Sequence, residues 1–199
     1  MQIRKMIAKD IDHIVKIHQR AFKGFFLEQM GPIFLKNYYK YIYKYHGSIA
    51  LVAQDDKKNI LGFCVGFKNP SNFYKFFYSN KIQLIPSIFI GFLRRPKILI
   101  SILRNIFRVN SEANIESNEN QFELSSIGVD PNSKGIGGIL LKEFIEIVRS
   151  KGSSEIVLTT NKFGNNKVHN FYKSHGFVEK EDIIRGERIL KKFTLSICK

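Results

Sequence analysis

A strand pattern that leads through a glycine-rich turn into a helix pattern restricts the fold of this chain more than any other feature. Residues 122–129 (FELSSIGV) have the composition of a strand, and residues 135–151 carry apolar side chains at helical spacing. Gly135, Gly137 and Gly138 stand where the strand gives way to the helix, and they let the main chain approach a ligand closely. Because a helix start presents unpaired N–H groups and the positive end of the helix dipole, the segment predicts a seat for a phosphate group.

This turn differs from the two common nucleotide-binding loops. A P-loop has four residues between its glycines and ends in Gly-Lys-Ser or Gly-Lys-Thr, and neither feature is present. The GxGxxG pattern of dinucleotide-binding proteins fails because position 140 is Leu. Neither ATP nor NAD is favoured, and a tight structural turn remains the alternative to a phosphate site.

Strand and helix patterns alternate along the rest of the chain. Further strands are predicted at residues 2–7, 48–54, 60–67, 155–160, 177–184 and 188–197. Further helices are predicted after Asp10, which can act as an N-cap, from Pro32, and over residues 165–174. The polar run DDKKN (residues 55–59) between two strands indicates an antiparallel hairpin, with Cys64 as a small apolar residue inside its second strand. Strands separated by helices predict an α/β protein with a mixed sheet.

A basic segment interrupts this alternation. Residues 57–111 contain ten Lys or Arg and no Asp or Glu. Two short helices are predicted over residues 86–108, followed by a loose polar loop. We therefore treat residues 68–120 as an insertion between the third and fourth strands of a single domain. That domain spans residues 1–199, because 199 residues are enough for one core and few for two.

The composition leaves acidic partners open and argues against several classes. Lys and Arg number 32 and Asp and Glu 17, and the formal net charge of +15 suits nucleic acid, an anionic membrane or a phosphate-bearing ligand. Cys64 and Cys198 form no CxxC pair, so neither a zinc site nor a disulfide framework is expected. The first residues lack the apolar core of a secretory signal, and the longest apolar run, residues 82–93, is well short of the ~20 residues that span a bilayer. We expect a cytoplasmic protein without a metal.

A second motif lies in the next strand and helix unit. Its residues are Asn165, Val168, Tyr172, Gly176 and Phe177. It resembles the N-x-x-A-x-x-x-Y-x-x-x-G-F pattern of the GNAT superfamily of acyl-CoA-dependent N-acyltransferases, and residues 132–137 resemble the Q/R-x-x-G-x-G/A turn of that family. Two departures occur: Asn132 replaces the usual Gln or Arg, with Lys134 as a partial substitute, and Val168 replaces Ala. The resemblance covers most of the chain except the basic insertion.

The resemblance implies a mostly antiparallel sheet flanked by helices and acetyl-CoA as a co-substrate. The main-chain N–H groups of residues 133–138 are expected to bind the pyrophosphate. In the family, the strand that holds residues 127–129 separates from the next strand, and its main-chain groups pair with the pantetheine arm. Asn165 is expected to hydrogen-bond that arm, and Phe171 to pack beneath it. The implied acyl-CoA-binding residues are Ile127, Gly128, Val129, Asn132, Ser133, Lys134, Gly135, Ile136, Gly137, Gly138, Asn165, Val168 and Phe171.

The resemblance also assigns catalytic roles. Tyr172 matches the family's hydroxyl that lies beside the thioester sulfur and assists the departing thiolate. Proton transfer from a phenol of pKa ~10 to a thiolate of pKa ~8.5 is uphill by ~2 kcal/mol, so hydrogen bonding to sulfur and full transfer both remain open. Glu123 matches a position where many relatives have a carboxylate, and it is the predicted general base for the acceptor amine. A buried structural tyrosine and a solvated strand residue are the alternatives.

The acceptor side is predicted in the loop of residues 21–31, where Phe25 and Phe26 form walls and Glu28 is a second candidate base. The predicted function is transfer of an acetyl group to the primary amine of a small molecule in a ternary complex, by a monomer or a homodimer. An amino sugar or sugar nucleotide is the leading acceptor. Chains with a similar Phe- and Arg-rich insertion resemble bacterial enzymes associated with surface-polysaccharide assembly.

A binding protein is the competing hypothesis. Basic and aromatic residues interleave in residues 70–108, a pattern that suits an anionic membrane or an acidic polymer. A helical cover with a basic outer face is the structural alternative. A nucleic-acid partner is not expected, because no RNP, zinc-finger or helix-turn-helix pattern occurs.

Overall fold

The computed structural model describes residues 1–79, 120–185 and 188–197. Its strands are β1 (Gln2–Lys5), β2 (Ser48–Gln54), β3 (Ile60–Lys68), β4 (Gln121–Val129), β5 (Glu155–Asn161), β6 (Val178–Arg185) and β7 (Arg188–Ser196). Its helices are α1 (Ile11–Ala21), which follows a 3-10 turn at Ala8–Asp10, α2 (Phe26–Gln29), α3 (Pro32–Lys44), α4 (Pro70–Ser79), α5 (Ile136–Ser150) and α6 (Asn166–Ser174). None of these helices is long and apolar enough to cross a membrane.

The strands form one seven-stranded sheet in the order β1-β2-β3-β4-β5-β7-β6. Neighbouring strands run antiparallel, except that β4 and β5 run parallel. The predicted hairpin of β2 and β3 is confirmed, with Leu51 opposite Cys64. The fold class is also confirmed: a mixed, mostly antiparallel sheet flanked by helices. The helices predicted over residues 86–108, and most of the polar loop after them, lie outside the described residues.

Two of the helices are not predicted by the sequence patterns. The short helix α2 interrupts the loop expected at residues 21–31, and α4 lies at the start of the predicted insertion. In α4, Phe73 and Phe77 are one turn apart and both are buried, which is typical of an amphipathic helix. Aromatic residues on the other faces of α4 hide this spacing in the sequence.

Asp10 is buried but does not cap α1 as predicted. Its carboxylate accepts hydrogen bonds from the Arg4 guanidinium at 2.7 and 2.9 Å and from the Ile7 N–H at 2.8 Å. Burial acts to raise the pKa of Asp10, but the hydrogen bonds from Arg4 and Ile7 hold it below its usual value. The predicted side-chain N-cap is therefore wrong, since this carboxylate ties β1 to the start of α1 instead.

Helices cover both faces of the sheet. On the face that we call the α1 face, α1, α3 and α4 pack against Phe63, Val65 and Phe67 of β3. On the opposite face, the α5 face, α5 and α6 pack around a second core that contains Cys64 of β3 and Phe144 of α5. The alternation along β3 is what a strand buried on both sides requires. The sheet is thus the middle layer of three.

The strands β4 and β5 separate after three rungs. The paired residues are Gln121 with Glu155, Phe122 with Ile156 and Glu123 with Val157. Relative to β3, β4 has one extra residue, Ser125, and such a bulge bends its strand. A Cβ on Gly66, opposite the bulge, would come within 2.3 Å of the Glu123 carbonyl oxygen, so only glycine fits there. Residues 124–129 of β4 have no partner on β5, and we call the resulting gap the split.

Candidate active site

The turn between β4 and α5 exposes its main chain at the open end of the split. Gly135 is the N-cap of α5 and has a φ of +80°, a left-handed conformation that favours glycine. A Cβ at Gly135 would meet nothing within 4 Å, so glycine is needed here for its conformation rather than for space. Buried Ile136 and Leu140 anchor the helix, while Asn132 and Lys134 are exposed. The turn is therefore held to the protein core through the start of α5, and its outer side is accessible to solvent.

The main-chain N–H groups of this turn divide into two sets. The Ser133 N–H donates to the Asp130 carbonyl at 2.8 Å, and the Asn132 N–H donates to the Asp130 carboxylate at 3.0 Å. The first N–H groups of a helix have no intrahelical partner, and no described residue accepts from the N–H of Lys134 or Gly135. The expected donor set of residues 133–138 thus narrows to residues 134–138.

The start of α5 and the end of α6 pack closely together. A Cβ at Gly137 would lie 3.6 Å from Val129 and 3.7 Å from the Phe171 ring, which are ordinary contacts. A Cβ at Gly138 would lie 3.1 Å from His175 Nε2. His175 Nδ1 donates to the Phe171 carbonyl at 2.7 Å, which leaves Nε2 facing the first turn of α5. Sequence patterns do not reveal this contact, because it joins two helices.

Asn165 stands at the start of α6, beside the end of β5. Its side-chain Nδ2 donates to Thr160 Oγ1 at 2.6 Å, and its main-chain carbonyl accepts from the Val168 N–H at 3.0 Å. Among the described residues, none donates to Asn165 Oδ1, so that oxygen can accept from an amide of a bound ligand. Val168 and Phe171, which follow on α6, are half-buried and pack against the core of the α5 face.

Tyr172 lies on α6 and is only 7% exposed. Its ring packs among those of Phe171, Phe177 and Phe193 at centroid distances of 5.3, 5.5 and 5.8 Å. Burial raises the pKa of the Tyr172 phenol, and the neighbouring Cys64 thiol raises it further. Cys64 lies on β3 opposite Ile127 of β4, the strand that borders the split. A phenol with a raised pKa remains protonated at neutral pH and acts as a hydrogen-bond donor.

Glu123 occupies the last rung at which β4 and β5 pair. Its neighbours Phe122 and Leu124 point into the α5 face, so Glu123 points to the α1 face, where it is half-buried. The Tyr74 hydroxyl donates to Glu123 Oε1 at 2.9 Å. Burial raises the pKa of Glu123, although the Tyr74 hydrogen bond and the positive charge of Arg185 act to lower it. A raised pKa suits a general base, and sequence reasoning missed both Tyr74 and Arg185.

Hydroxyl groups of α3 fix the bulge of β4 from the α1 face. Tyr38 Oη lies 2.5 Å from Ser125 Oγ. Buried Ser126 hydrogen-bonds Tyr39, whose hydroxyl also lies 2.6 Å from His18 Nδ1. Burial lowers the pKa of His18 to about 4, so this histidine is neutral at physiological pH.

The loop predicted to form the acceptor side reaches the split through Phe22. Phe25 packs edge-on against Phe22, with ring centroids 5.8 Å apart. A Cβ at Gly128 of β4 would come within 3.1 Å of the Phe22 ring. Phe22 is therefore in contact with β4, and Phe25 packs against Phe22.

Glu28, the second candidate base, is held by its own loop. Its Oε2 accepts from the Gly24 N–H at 3.0 Å, and Gln29 Nε2 donates to the Gly24 carbonyl at 2.8 Å. The described hydrogen bond of Glu28 thus stays within its own loop. Of the two candidate bases, Glu123 is the one that borders the split. The side chain of Phe26, the third predicted acceptor residue, lies outside the described part of the chain.

The split brings together groups that lie far apart in the sequence. The turn of residues 134–138 lies at its open end, Glu123 lies at its closed end on the α1 face, and Tyr172 approaches from the α5 face. In the described ranges, no group of three or more His, Cys, Asp or Glu side chains is placed to hold a metal ion. The arrangement can hold an extended, phosphate-bearing molecule along an unpaired strand, with a proton donor and a base on opposite sides.

Comparison with known proteins identifies the family. The model of the acetyltransferase (GNAT) family matches residues 11–177, so the chain belongs to this family and is an acyltransferase. The family uses acetyl-CoA as its acyl donor. The resemblance that the two sequence motifs indicate is thereby confirmed. A comparison with curated protein sequences gives no significant match.

Solved structures confirm the fold at low sequence identity. A ribosomal-protein-alanine N-acetyltransferase from Brucella melitensis has a TM-score of 0.65 and 17% identity, covering 98% of this chain and 99% of that one. A phosphinothricin acetyltransferase from Sinorhizobium meliloti in complex with AcCoA has a TM-score of 0.62 and 12% identity, covering 98% and 88%. A chimera of the Vibrio cholerae spermidine N-acetyltransferase has a TM-score of 0.61 and 14% identity, covering 98% and 94%. At these identities the likeness concerns the fold alone.

Proposed function

We propose that this protein transfers the acetyl group of acetyl-CoA to the primary amine of a small acceptor, by direct attack in a ternary complex. The observation that supports this most is the split, where residues 124–129 have no partner on β5 and lead into an exposed turn with unpaired N–H groups. Main-chain groups left unpaired on a strand need a partner, and an extended ligand supplies one. Acetyl-CoA, when bound, supplies an activated acyl group and a thiolate leaving group.

The residues of the split fit the expected partners of acetyl-CoA. The N–H groups of residues 134–138 bind the pyrophosphate, assisted by the helix dipole of α5 and by the exposed Lys134. The free edge of residues 127–129 pairs with the pantetheine arm, and Asn165 Oδ1 accepts a hydrogen bond from it. Val168 and Phe171 line the same side. Asn132 and Ser133 shape the turn through their hydrogen bonds to Asp130.

Tyr172 and Glu123 have separate tasks in this proposal. Tyr172 donates a hydrogen bond to the sulfur as negative charge develops there. Its raised pKa favours this role over full proton transfer, because loss of its proton costs more than for an exposed phenol. Glu123 takes the proton of the amine, directly or through water. Deprotonation at pH 7 costs ~4.6 kcal/mol for a lysine-like amine of pKa ~10.4 and ~1 kcal/mol for an α-amine of pKa ~7.7, so the base matters most for the former.

An amino sugar or a sugar nucleotide remains our leading acceptor. The structural neighbours do not decide this point, since their names refer to a ribosomal-protein alanine, phosphinothricin and spermidine, and their likeness to this chain is one of fold. The support comes from the Phe- and Arg-rich character of the insertion and from the net charge of +15, which favours an acceptor with phosphate groups.

One observation counts against the competing hypothesis of a membrane-binding or polymer-binding protein. In α4, which begins the segment of residues 70–108, Phe73 and Phe77 are buried in the core of the α1 face. These aromatic residues thus belong to a helical cover rather than to an outer surface. Peripheral contact through residues 70–108 stays a prediction, and residues 80–108 of this segment lie outside the described part. The cytoplasmic location and the monomeric or homodimeric state also stay predictions.

The proposed function is tested by incubating the protein with acetyl-CoA and a panel of primary amines that includes amino sugars. We expect release of CoA, detected as free thiol, with at least one amine, and binding of acetyl-CoA by calorimetry. If acetyl-CoA does not bind and no amine is acetylated, the proposal is wrong. Binding without turnover would instead support a binding protein built on an acetyltransferase fold.

A further inference from the structure

An ion pair joins the last turn of α1 to the end of β4. Arg20 Nη1 donates to Asp130 Oδ2 at 2.9 Å, across 110 positions of the sequence. The Arg20 side chain is 60% exposed, and that of Asp130 is 18% exposed. Buried Ile17 and His18 hold this end of α1 against the sheet. The geometry of the pair therefore depends on how α1 packs.

Asp130 also shapes the turn that follows β4. Its Oδ1 accepts from the Asn132 N–H at 3.0 Å, and its main-chain carbonyl accepts from the Ser133 N–H at 2.8 Å. The carboxylate thus has one oxygen on the turn and the other on Arg20. It connects α1 to the segment that leads into the N–H groups of residues 134–138.

The charge of Asp130 lies near the place where the diphosphate is proposed to bind. Asp130 and Lys134 are four positions apart, which is at most ~14 Å in an extended chain. The hydrogen bonds from the Asn132 and Ser133 N–H groups fold the turn back and shorten this distance. Charges at such separations interact, because the screening length is ~10 Å at 0.1 M salt. An uncompensated carboxylate here would repel a diphosphate, and the charge of Arg20 compensates it.

We propose that Arg20 is a positioning residue for the acyl donor, and that it acts through Asp130. This inference rests on the proposed function, because it takes residues 134–138 as the diphosphate site. Arg20 holds Asp130 Oδ2, so that Oδ1 stays on the Asn132 N–H, and it cancels the carboxylate charge beside the diphosphate. A residue of α1, the helix that precedes the predicted acceptor loop of residues 21–31, thus contributes to binding of the donor.

Single substitutions test the charge effect through the Kd of CoA, measured by calorimetry. In Arg20→Gln the carboxylate is uncompensated, and we expect the Kd to rise about tenfold. Arg20→Lys keeps the charge and is expected to recover most of the affinity. In Asp130→Asn the amide oxygen can still accept from the Asn132 N–H, so we expect a Kd equal to or below that of the wild type. Because Arg20 is largely exposed, the Tm of its variants should stay within a few degrees of the wild-type value.

The double variant Arg20→Gln with Asp130→Asn distinguishes a charge effect from a structural one. The pair is neutral both in the wild type and in the double variant. We therefore expect the double variant to bind CoA within about threefold of the wild type and more tightly than Arg20→Gln alone. A merely structural ion pair predicts that the double variant binds no better than Arg20→Gln.

Arg149→Gln is the matched control. It breaks the exposed ion pair of Arg149 with Glu146 on α5, and it should leave the Kd of CoA unchanged. An unchanged Kd in Arg20→Gln, or a double variant that binds as weakly as Arg20→Gln, overturns the inference.

Dephospho-CoA shows which phosphate is involved. It has the diphosphate and lacks the 3′-phosphate, so Arg20→Gln should weaken its binding by about the same factor as that of CoA. A loss seen only with CoA would assign the effect to the 3′-phosphate and overturn the inference.

These measurements need binding alone and therefore separate the inference from the proposed function. If CoA binds, no amine is acetylated and the double variant recovers affinity, the role of Arg20 is supported and the proposed function is wrong. If an amine is acetylated but the wild type and Arg20→Gln bind CoA equally, the proposed function stands and the role of Arg20 is wrong.

Discussion

Burial decides what the phenol of Tyr172 can do. The hydroxyl belongs to a ring enclosed by Phe177 and Phe193, and its raised pKa keeps its proton in place at neutral pH. Such a group stabilises charge on a neighbouring sulfur by hydrogen bonding without releasing its proton.

Tyr172→Phe is expected to lower kcat about 100-fold and to leave the Kd of acetyl-CoA within about twofold, because the ring and its packing are retained. Steady-state kinetics and calorimetry measure the two quantities. Tyr43→Phe, at an exposed position of α3, is the matched control and is expected to change neither. Unchanged turnover in Tyr172→Phe, or a parallel loss of acetyl-CoA affinity, would contradict the assigned role.

Glu123 is expected to set the acidic limb of the pH profile. A base acts when it is deprotonated, so kcat/KM should fall as the pH drops through the pKa of Glu123, which burial raises. Glu123→Gln should lower kcat/KM and remove this limb. Tyr74→Phe deletes a hydrogen bond that favours the carboxylate, and it should move the limb to higher pH. A limb that stays in place in both variants would assign the base to another group.

Gly137→Glu is expected to abolish acetyl-CoA binding without unfolding the protein. The nearest atoms to a Cβ at this position are 3.6 Å away, so the protein itself has room for a side chain. The carboxylate would lie at the start of α5, where the phosphate is expected, and would repel it. We expect the Kd to rise at least about 100-fold while Tm changes by only a few degrees. Retained binding would show that the pyrophosphate lies elsewhere.

Among the elements of the fold, the first strand and the first helix are joined by one partly buried ion pair. Asp10→Asn removes the charge that accepts two hydrogen bonds from Arg4, and we expect a loss of about 2 kcal/mol in the free energy of unfolding by urea. Asp12→Asn, at an exposed pair with Lys36, should cost less than ~1 kcal/mol. Because the pKa of Asp10 is lowered, its contribution is present above the usual carboxyl pKa of ~3.9 and disappears as the pH falls through the lowered pKa. Equal losses in the two variants would refute this difference.

The sequence predicts those elements whose signals are local. The strand, glycine turn and helix around Gly135 follow from residue order, as do the β2–β3 hairpin and the helix that begins at Pro32. The bulge at Ser125 and the contact of His175 with α5 depend on which elements pair across the molecule. No periodicity within one segment reveals such pairings.

The same limit applies to the acceptor side of the site. Tyr74 was missed because α4 has aromatic residues on several faces, which conceals its buried stripe. The electrostatic influence of Arg185 on Glu123 joins residues of different strands, so no local sequence signal indicates it. The two family motifs, by contrast, predict an acyl donor side from sequence alone, since each is a short segment with fixed spacing.

At the scale of the whole molecule, the sheet separates two tasks. The α5 face holds the turn of residues 134–138 and Tyr172, which we propose serve the acyl donor. The α1 face holds Glu123, which we propose serves the acceptor. The split joins the two faces at the one place where parallel neighbours diverge. This layout is consistent with the proposed reaction between two substrates held on opposite faces of the sheet.

An amide correlation spectrum of isotope-labelled protein, recorded during a titration with CoA, tests whether the turn of residues 134–138 holds the pyrophosphate. We predict that the amide signals of residues 134–138 move strongly on binding. The Ser133 amide, which already donates to Asp130, should move much less. Binding of CoA that leaves the signals of residues 134–138 in place would contradict the claim that this turn holds the pyrophosphate.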